Sequence, residues 1–163
     1  MLGGLFLAPA VTAISEALAS AGTGADRRLA VIGDAKLAAA LAAAKCDVVP
    51  VGLSIRAAKK VAGALPDLST IDDYSLAGVV GVDIATDDGW QVALREWSRV
   101  VRDGGVVVLV DKGNAPEASR RALCAGLSEL EQRRVGRVVV TSGLVTHFVG
   151  DAVAAVDPVY RQS

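Results

Sequence analysis

A chain of 163 residues, 52% of them apolar and 21% charged, has the size of one domain and enough apolar mass for a substantial core. Its 17 basic and 18 acidic residues nearly cancel. The pairs Arg27-Arg28, Lys59-Lys60, Arg120-Arg121 and Arg133-Arg134 are scattered and read as solvated ends of elements, which argues against a nucleic-acid-binding face. A lone histidine, His147, and two cysteines without metal-ligand spacing, Cys46 and Cys124, suggest no metal site and no histidine-centred triad around a G-x-S-x-G serine. Both thiols read as small core residues of a reducing compartment, so a cytoplasmic location is expected.

In chain order, the first element is the apolar stretch MLGGLFLAPAVTAISEALASAG. Pro9 can open a helix there and Gly22 can close it, with Ile14, Ala17, Leu18 and Ala21 along one face. The stretch lacks the basic start of a signal peptide and carries Glu16, so the helix is expected to pack on the domain or on a partner. No run of ~20 continuous apolar residues predicts a transmembrane span. Beyond it, the runs LAVIG (29–33), DVVPV (47–51), AGVVGV (77–82), GVVVLV (105–110) and RVVVTS (137–142) alternate with helix-compatible stretches at 34–45, 54–65, 88–101 and 116–127. Continuous apolar strands alternating with helices predict an α/β fold, a mostly parallel sheet buried on both faces between two helical layers.

Local signals place the boundaries. Asp34 can cap the alanine-rich helix, Pro116 suits the first helical position of the last helix and Gly126 its close. Within 88–101, Val92, Trp97 and Val100 or Val101 read as the buried stripe, leaving Arg95, Glu96 and Arg99 to water. Arg102-Asp103-Gly104-Gly105 reads as the turn into the next strand, and LEQRRV (130–135) with RVVVTS, on either side of Gly136, as an antiparallel hairpin at the sheet edge.

AGVVGVD followed by WQVALREWSRVVRDGGVVVLVD resembles the second half of the class I S-adenosylmethionine-dependent methyltransferase fold, with Asp103 where the family's turn has proline. LSELEQRRVGRVVVTSG is similar to that family's terminal antiparallel pair. The resemblance spans roughly residues 25–149 and is strongest in 77–112. It implies a single Rossmann-like methyltransferase domain over 1–163: an N-terminal helix (1–24), the core (25–149) and a C-terminal tail (150–163). It also implies that S-adenosylmethionine, if bound at all, would lie against Gly33, Asp34, Gly52, Leu53, Asp83 and Ile84 at the C-terminal ends of the strands.

Three departures weaken that implication. The family's G-x-G-x-G loop keeps its first glycine as Gly33, but Ala35 and Leu37 stand at the second and third positions. The acid that closes the second strand and holds the ribose hydroxyls is replaced by Gly52 in VPVGLS. Only about twenty residues separate Gly52 from Tyr74, whereas a crossover helix plus a further strand needs ~30 or more, so the third strand is expected to be lost and strand 47–51, with Pro50, to lie at the edge. Asp34, Asp83 and Asp111 on the rim could favour a cation or simply serve as caps and turn residues, and Tyr74 and Trp90 are candidates for a substrate lid.

The sequence therefore predicts a degenerate, non-catalytic methyltransferase-like protein acting as a binding or assembly module, without cofactor. Its expected partner is a second copy or another protein, met through residues 1–22 and the strand 47–51 edge. The competing expectation is an active small-molecule methyltransferase using S-adenosylmethionine through an atypical loop. No catalytic residue can be assigned from the sequence.

Overall fold

The computed structural model describes residues 4–20 and 28–147, with side-chain surroundings from residue 8 onward. In chain order the elements are α1 (Gly4–Ser20), β1 (Arg28–Ile32), α2 (Ala35–Ala43), β2 (Asp47–Val51), α3 (Ile55–Ala58) and β3 (Leu76–Val82). After a single 3-10 turn, Ile84–Thr86, come α4 (Trp90–Val100), β4 (Val101–Asp111), α5 (Ala115–Cys124), β5 (Ser128–Val135) and β6 (Val138–Leu144). The six strands form one sheet in the order β2-β1-β3-β4-β6-β5. The first four run parallel, and β6 returns antiparallel to β4 and pairs with β5 across Gly136-Arg137. This is the expected Rossmann-like three-layer sandwich with its terminal hairpin.

The period of two along each strand divides the core. On one face Val106, Val108 and Val110 of β4 pack with Val138 and Val140 of β6 beneath α1 and α2. On the other, Val107 and Leu109 pack beneath α4 and α5 with Leu94, Trp97 and Ala122. The helical stripe read in α1 is correct as far as it can be followed, since Ile14, Ala17 and Leu18 are buried against this sheet. Pro9 lies inside α1 instead of opening it, and Ala21 and Gly22 fall outside the described residues. An ion pair from Arg133 to Glu16 at 2.9 Å ties α1 to β5.

Other expectations are corrected. Val92 is 64% exposed, and Leu94 joins Trp97 and Val100 on the buried face of α4. Cys46 is buried but Cys124 is exposed. Residues 102–105 are a bulge within β4: Leu76 pairs with Val101 and Gly78 with Val106, so β4 spends extra residues against β3. The extra backbone is satisfied from beyond β6, where the Gly104 amide donates to the Val145 carbonyl at 2.8 Å and the Val145 amide donates to the Gly105 carbonyl at 2.9 Å.

The crossover between β2 and β3 is short, as its length implied. Of the helix expected over 54–65 only Ile55–Ala58 forms, capped by the Ser54 hydroxyl, which accepts from the Ala57 amide. Left-handed Gly63 turns the chain back, and Leu65 makes a one-residue parallel bridge to β2, its amide on the Pro50 carbonyl and its carbonyl on the Gly52 amide. Peptide groups bound to the sheet cannot also continue a helix, which is why α3 stops early. Among the described residues no further strand pairs outside β2, which is the outermost strand, with Leu65 covering the end of its free edge.

Candidate functional site: the carboxyl rim of the parallel strands

In an open α/β sheet the ligand cleft lies beyond the carboxyl ends of the strands, where the strand order reverses. Here the reversal falls between β1 and β3, and backbone bonds hold the strand ends level: the Gly33 amide donates to Val51 and the Asp83 amide to Val110, each at 2.9 Å. Gly33 (φ +83°) and Gly52 (φ +67°) are both left-handed and exposed, and Asp83, half-buried, is left-handed as well at φ +61°. Of the six residues singled out from the sequence, Gly33, Gly52 and Asp83 thus sit on one rim, with half-buried Leu53 following Gly52.

The other two turn inward. Asp34 is 1% exposed and its Oδ1 accepts the Leu37 amide at 3.0 Å, the side-chain cap of α2. Ile84 is 1% exposed and belongs to the core beneath α4. Leu37, at the position of the family's third glycine, is fully buried between α1, α2 and the sheet. The chain therefore passes from β1 through Gly33 and Asp34 directly into α2, with no open loop between them.

A second carboxylate is also structural. Asp111, 2% exposed at the end of β4, accepts the Ala85 amide at 2.8 Å and so holds the 3-10 turn against the sheet. Its Oδ2 is buried without a hydrogen-bond partner. Burial pushes this carboxyl above its ordinary pKa, and the neighbouring Asp83 adds to the effect. Arg121 clamps the same loop from α5, donating to the carbonyls of Ile84 at 2.7 Å and Asp87 at 2.9 Å. Glu117 pairs with both Arg120 and Arg121, each at 2.6 Å, and these hydrogen bonds lower its pKa to about 2. Both guanidiniums lie over the Trp90 ring, at 5.6 and 5.1 Å from its centroid.

Tyr74 and Trp90 do not form a lid. They flank β3 at opposite ends; Tyr74 packs on the His147 ring, 4.0 Å between centroids, and His147 Nε2 lies 2.6 Å from the Val101 carbonyl. Two further arginines escaped the sequence reading. Arg121 reads as solvated along the chain, but its side chain is only 14% exposed. Arg99, a water-facing position by spacing, instead binds the Leu68 and Ile71 carbonyls, Asp73 and Glu96. No group of three or more His, Cys, Asp or Glu among the described residues is placed to hold a metal, and no described helix is long and apolar enough to cross a membrane.

No protein-family model and no curated protein matches the sequence. The folded chain does match solved structures. It is similar to a methyltransferase of Haloferax volcanii solved in complex with the Trm112 methyltransferase activator: TM-score 0.63, 13% identity, covering 82% of this chain and 89% of that one. It is also similar to an S-adenosylmethionine-dependent enzyme of Thermotoga maritima described as a possible histamine N-methyltransferase (0.60, 18%, 82% and 89%). A Burkholderia thailandensis O-methyltransferase family protein gives 0.62 at 13% identity, with 86% of this chain and 56% of that one covered. The fold is that of the class I methyltransferases. In this fold the rim carries two left-handed glycine turns, at Gly33 and Gly52, while Leu37 and Asp34, beside the first of them, serve the core and the helix cap.

Proposed function

We propose that this chain is a methyltransferase-fold protein that does not transfer methyl groups and acts as a binding or assembly module. One observation carries the reading: the N-terminus of α2, which in a cofactor-binding loop presents amides to the ligand, is occupied by the chain's own Asp34 carboxylate, and Leu37 fills the core. Gly52 supports it, because no carboxylate stands at the end of β2 to hold a ribose. A methyltransferase fold by itself fixes no activity.

The partner surface in this reading is the β2 edge. Within α1, Ala10, Ala13, Ile14, Ala17 and Leu18 already pack on the chain's own sheet, so the reading rests on the β2 edge. Ile55, 79% exposed just beyond β2, adds apolar surface to the edge. The Haloferax neighbour, held in a complex with an activator protein, supports a protein partner.

The test is a calorimetric titration with S-adenosylmethionine and with its demethylated product. A folded protein giving no heat is the expected result. Micromolar binding followed by turnover on any acceptor would overturn the reading in favour of an active enzyme with an atypical loop, the alternative supported by the left-handed pair Gly33 and Gly52 on the rim.

A further inference from the structure

The sheet has a second edge. Among the described residues no strand pairs outside β5, at the far end of the strand order from β2. The two-residue turn Gly136-Arg137 closes on Val135 and Val138, a pair that in such a hairpin exchanges both backbone bonds. Alternation along the antiparallel ladder then directs the backbone groups of Glu131 and Arg133 to β6 and those of Gln132 and Arg134 to the free edge. The side chain of Gln132 is held elsewhere: its amide nitrogen lies 2.9 Å from the Ala115 carbonyl and from the Ser119 and Thr141 hydroxyls, which leaves its backbone for a neighbour. Leu123, one turn beyond Ser119 on the same side of α5, adds exposed apolar surface beside this edge.

Charges usually blunt an edge strand, because a second copy would bring like charges together. The order of charges on β5 does the reverse. On its α1 side stand exposed Glu131 and half-buried Arg133, and Arg133 pairs with Glu131 at 3.2 Å and with Glu16 at 2.9 Å. A two-fold axis normal to the sheet makes two such edges antiparallel and keeps each layer continuous, so only residues of the same face can stand opposite one another. With Gln132 on that axis, Glu131 of each copy stands opposite Arg133 of the other. The four side chains then form a square in which every side joins an acid to a base and like charges meet only across the diagonals. A slip of two residues sets Glu131 against Glu131 or Arg133 against Arg133, so the charges select a single register.

We propose that the β5 edge recognises a second copy of this chain: two β5 strands pair antiparallel about Gln132, exchange backbone hydrogen bonds there, and join the two sheets with Glu131 of each opposite Arg133 of the other. This interface lies at the opposite edge from β2 and does not depend on whether methyl groups are transferred.

The experiment is a charge swap read by light scattering and sedimentation. The native chain should double its mass as its concentration rises through the micromolar range. Arg133→Glu sets Glu against Glu and Glu131→Arg sets Arg against Arg, so each variant alone, folded by circular dichroism, should stay at monomer mass. Mixed together, the two variants should form a one-to-one heterodimer, since the acids of one strand then face the bases of the other. In the native chain the Gln132 and Arg134 amides should exchange hydrogen more slowly in the dimer than on dilution, a measurement that needs no variant to fold. A native chain that stays monomeric, a native dimer that persists in both variants, folded variants that remain monomeric on mixing, or exchange at Gln132 that ignores dilution would each overturn the proposal.

Discussion

Asp111 is a buried carboxylate with one oxygen satisfied and one not, and that asymmetry has a pH signature. The unfolded carboxyl titrates near 3.8, and the folded one at a higher pH. Between the two values the folded state holds more protons than the unfolded state, so the residue subtracts stability progressively as pH rises through that window and by a constant amount above it. Asp111→Asn keeps an acceptor for the Ala85 amide. Its advantage over the parent should grow from about pH 4 upward and then level off, as read from urea midpoints across pH. Glu117 has the opposite sign: its contribution is present above 4.5 and is lost as pH falls toward about 2, so Glu117→Gln should matter at neutral pH and not in strong acid. At Gly81 a Cβ would stand 2.0 Å from the Trp97 ring. Gly81→Ala should therefore displace that indole and cost roughly 1–3 kcal/mol, visible in near-ultraviolet circular dichroism. Leu37→Gly, which restores a family glycine on paper, empties a core site inside a helix and should cost roughly 3–6 kcal/mol without creating a cofactor loop.

Elements were legible where their signals are local. The cap of α2 lies between Asp34 and Leu37, three residues apart, and the β5–β6 turn is two residues long, so both could be read along the chain. Arg99 could not, because its partners in segment 66–73 lie 26 to 31 residues away and have no periodic pattern to announce them. The same holds for Leu65, a helical position by spacing that the sheet claims through two backbone bonds. At the candidate site the rim glycines were legible, whereas the inward turn of Asp111 depends on Ala85, 26 residues earlier. Since Arg99 joins α4 to the crossover through three partners, Leu68, Ile71 and Asp73, Arg99→Met should release segment 66–73. Hydrogen exchange there should accelerate, with a global loss on the order of 1–2 kcal/mol for a partly screened group.

At the scale of the whole molecule, the fold class and the lost strand followed from run lengths, since a parallel crossover has a minimum span that the segment from Gly52 to Tyr74 does not reach. The packing of α1 did not follow, because an apolar stripe does not say which sheet it covers. Removing residues 1–27 should uncover Val106, Val108, Val138 and Val140 and give an unfolded or aggregating chain by circular dichroism and light scattering. A folded truncation with altered mass would instead point to α1 as a partner helix.

The ion pair between Glu16 and Arg133 bridges 117 positions of sequence. A ribosome adding about 5–20 residues per second makes α1 first and the strands that shelter it last, so the nascent helix waits on the order of ten seconds with its greasy side uncovered. That interval gives a chaperone its opportunity, and a circular permutant that places α1 after β6 should shorten the wait without changing the final contacts.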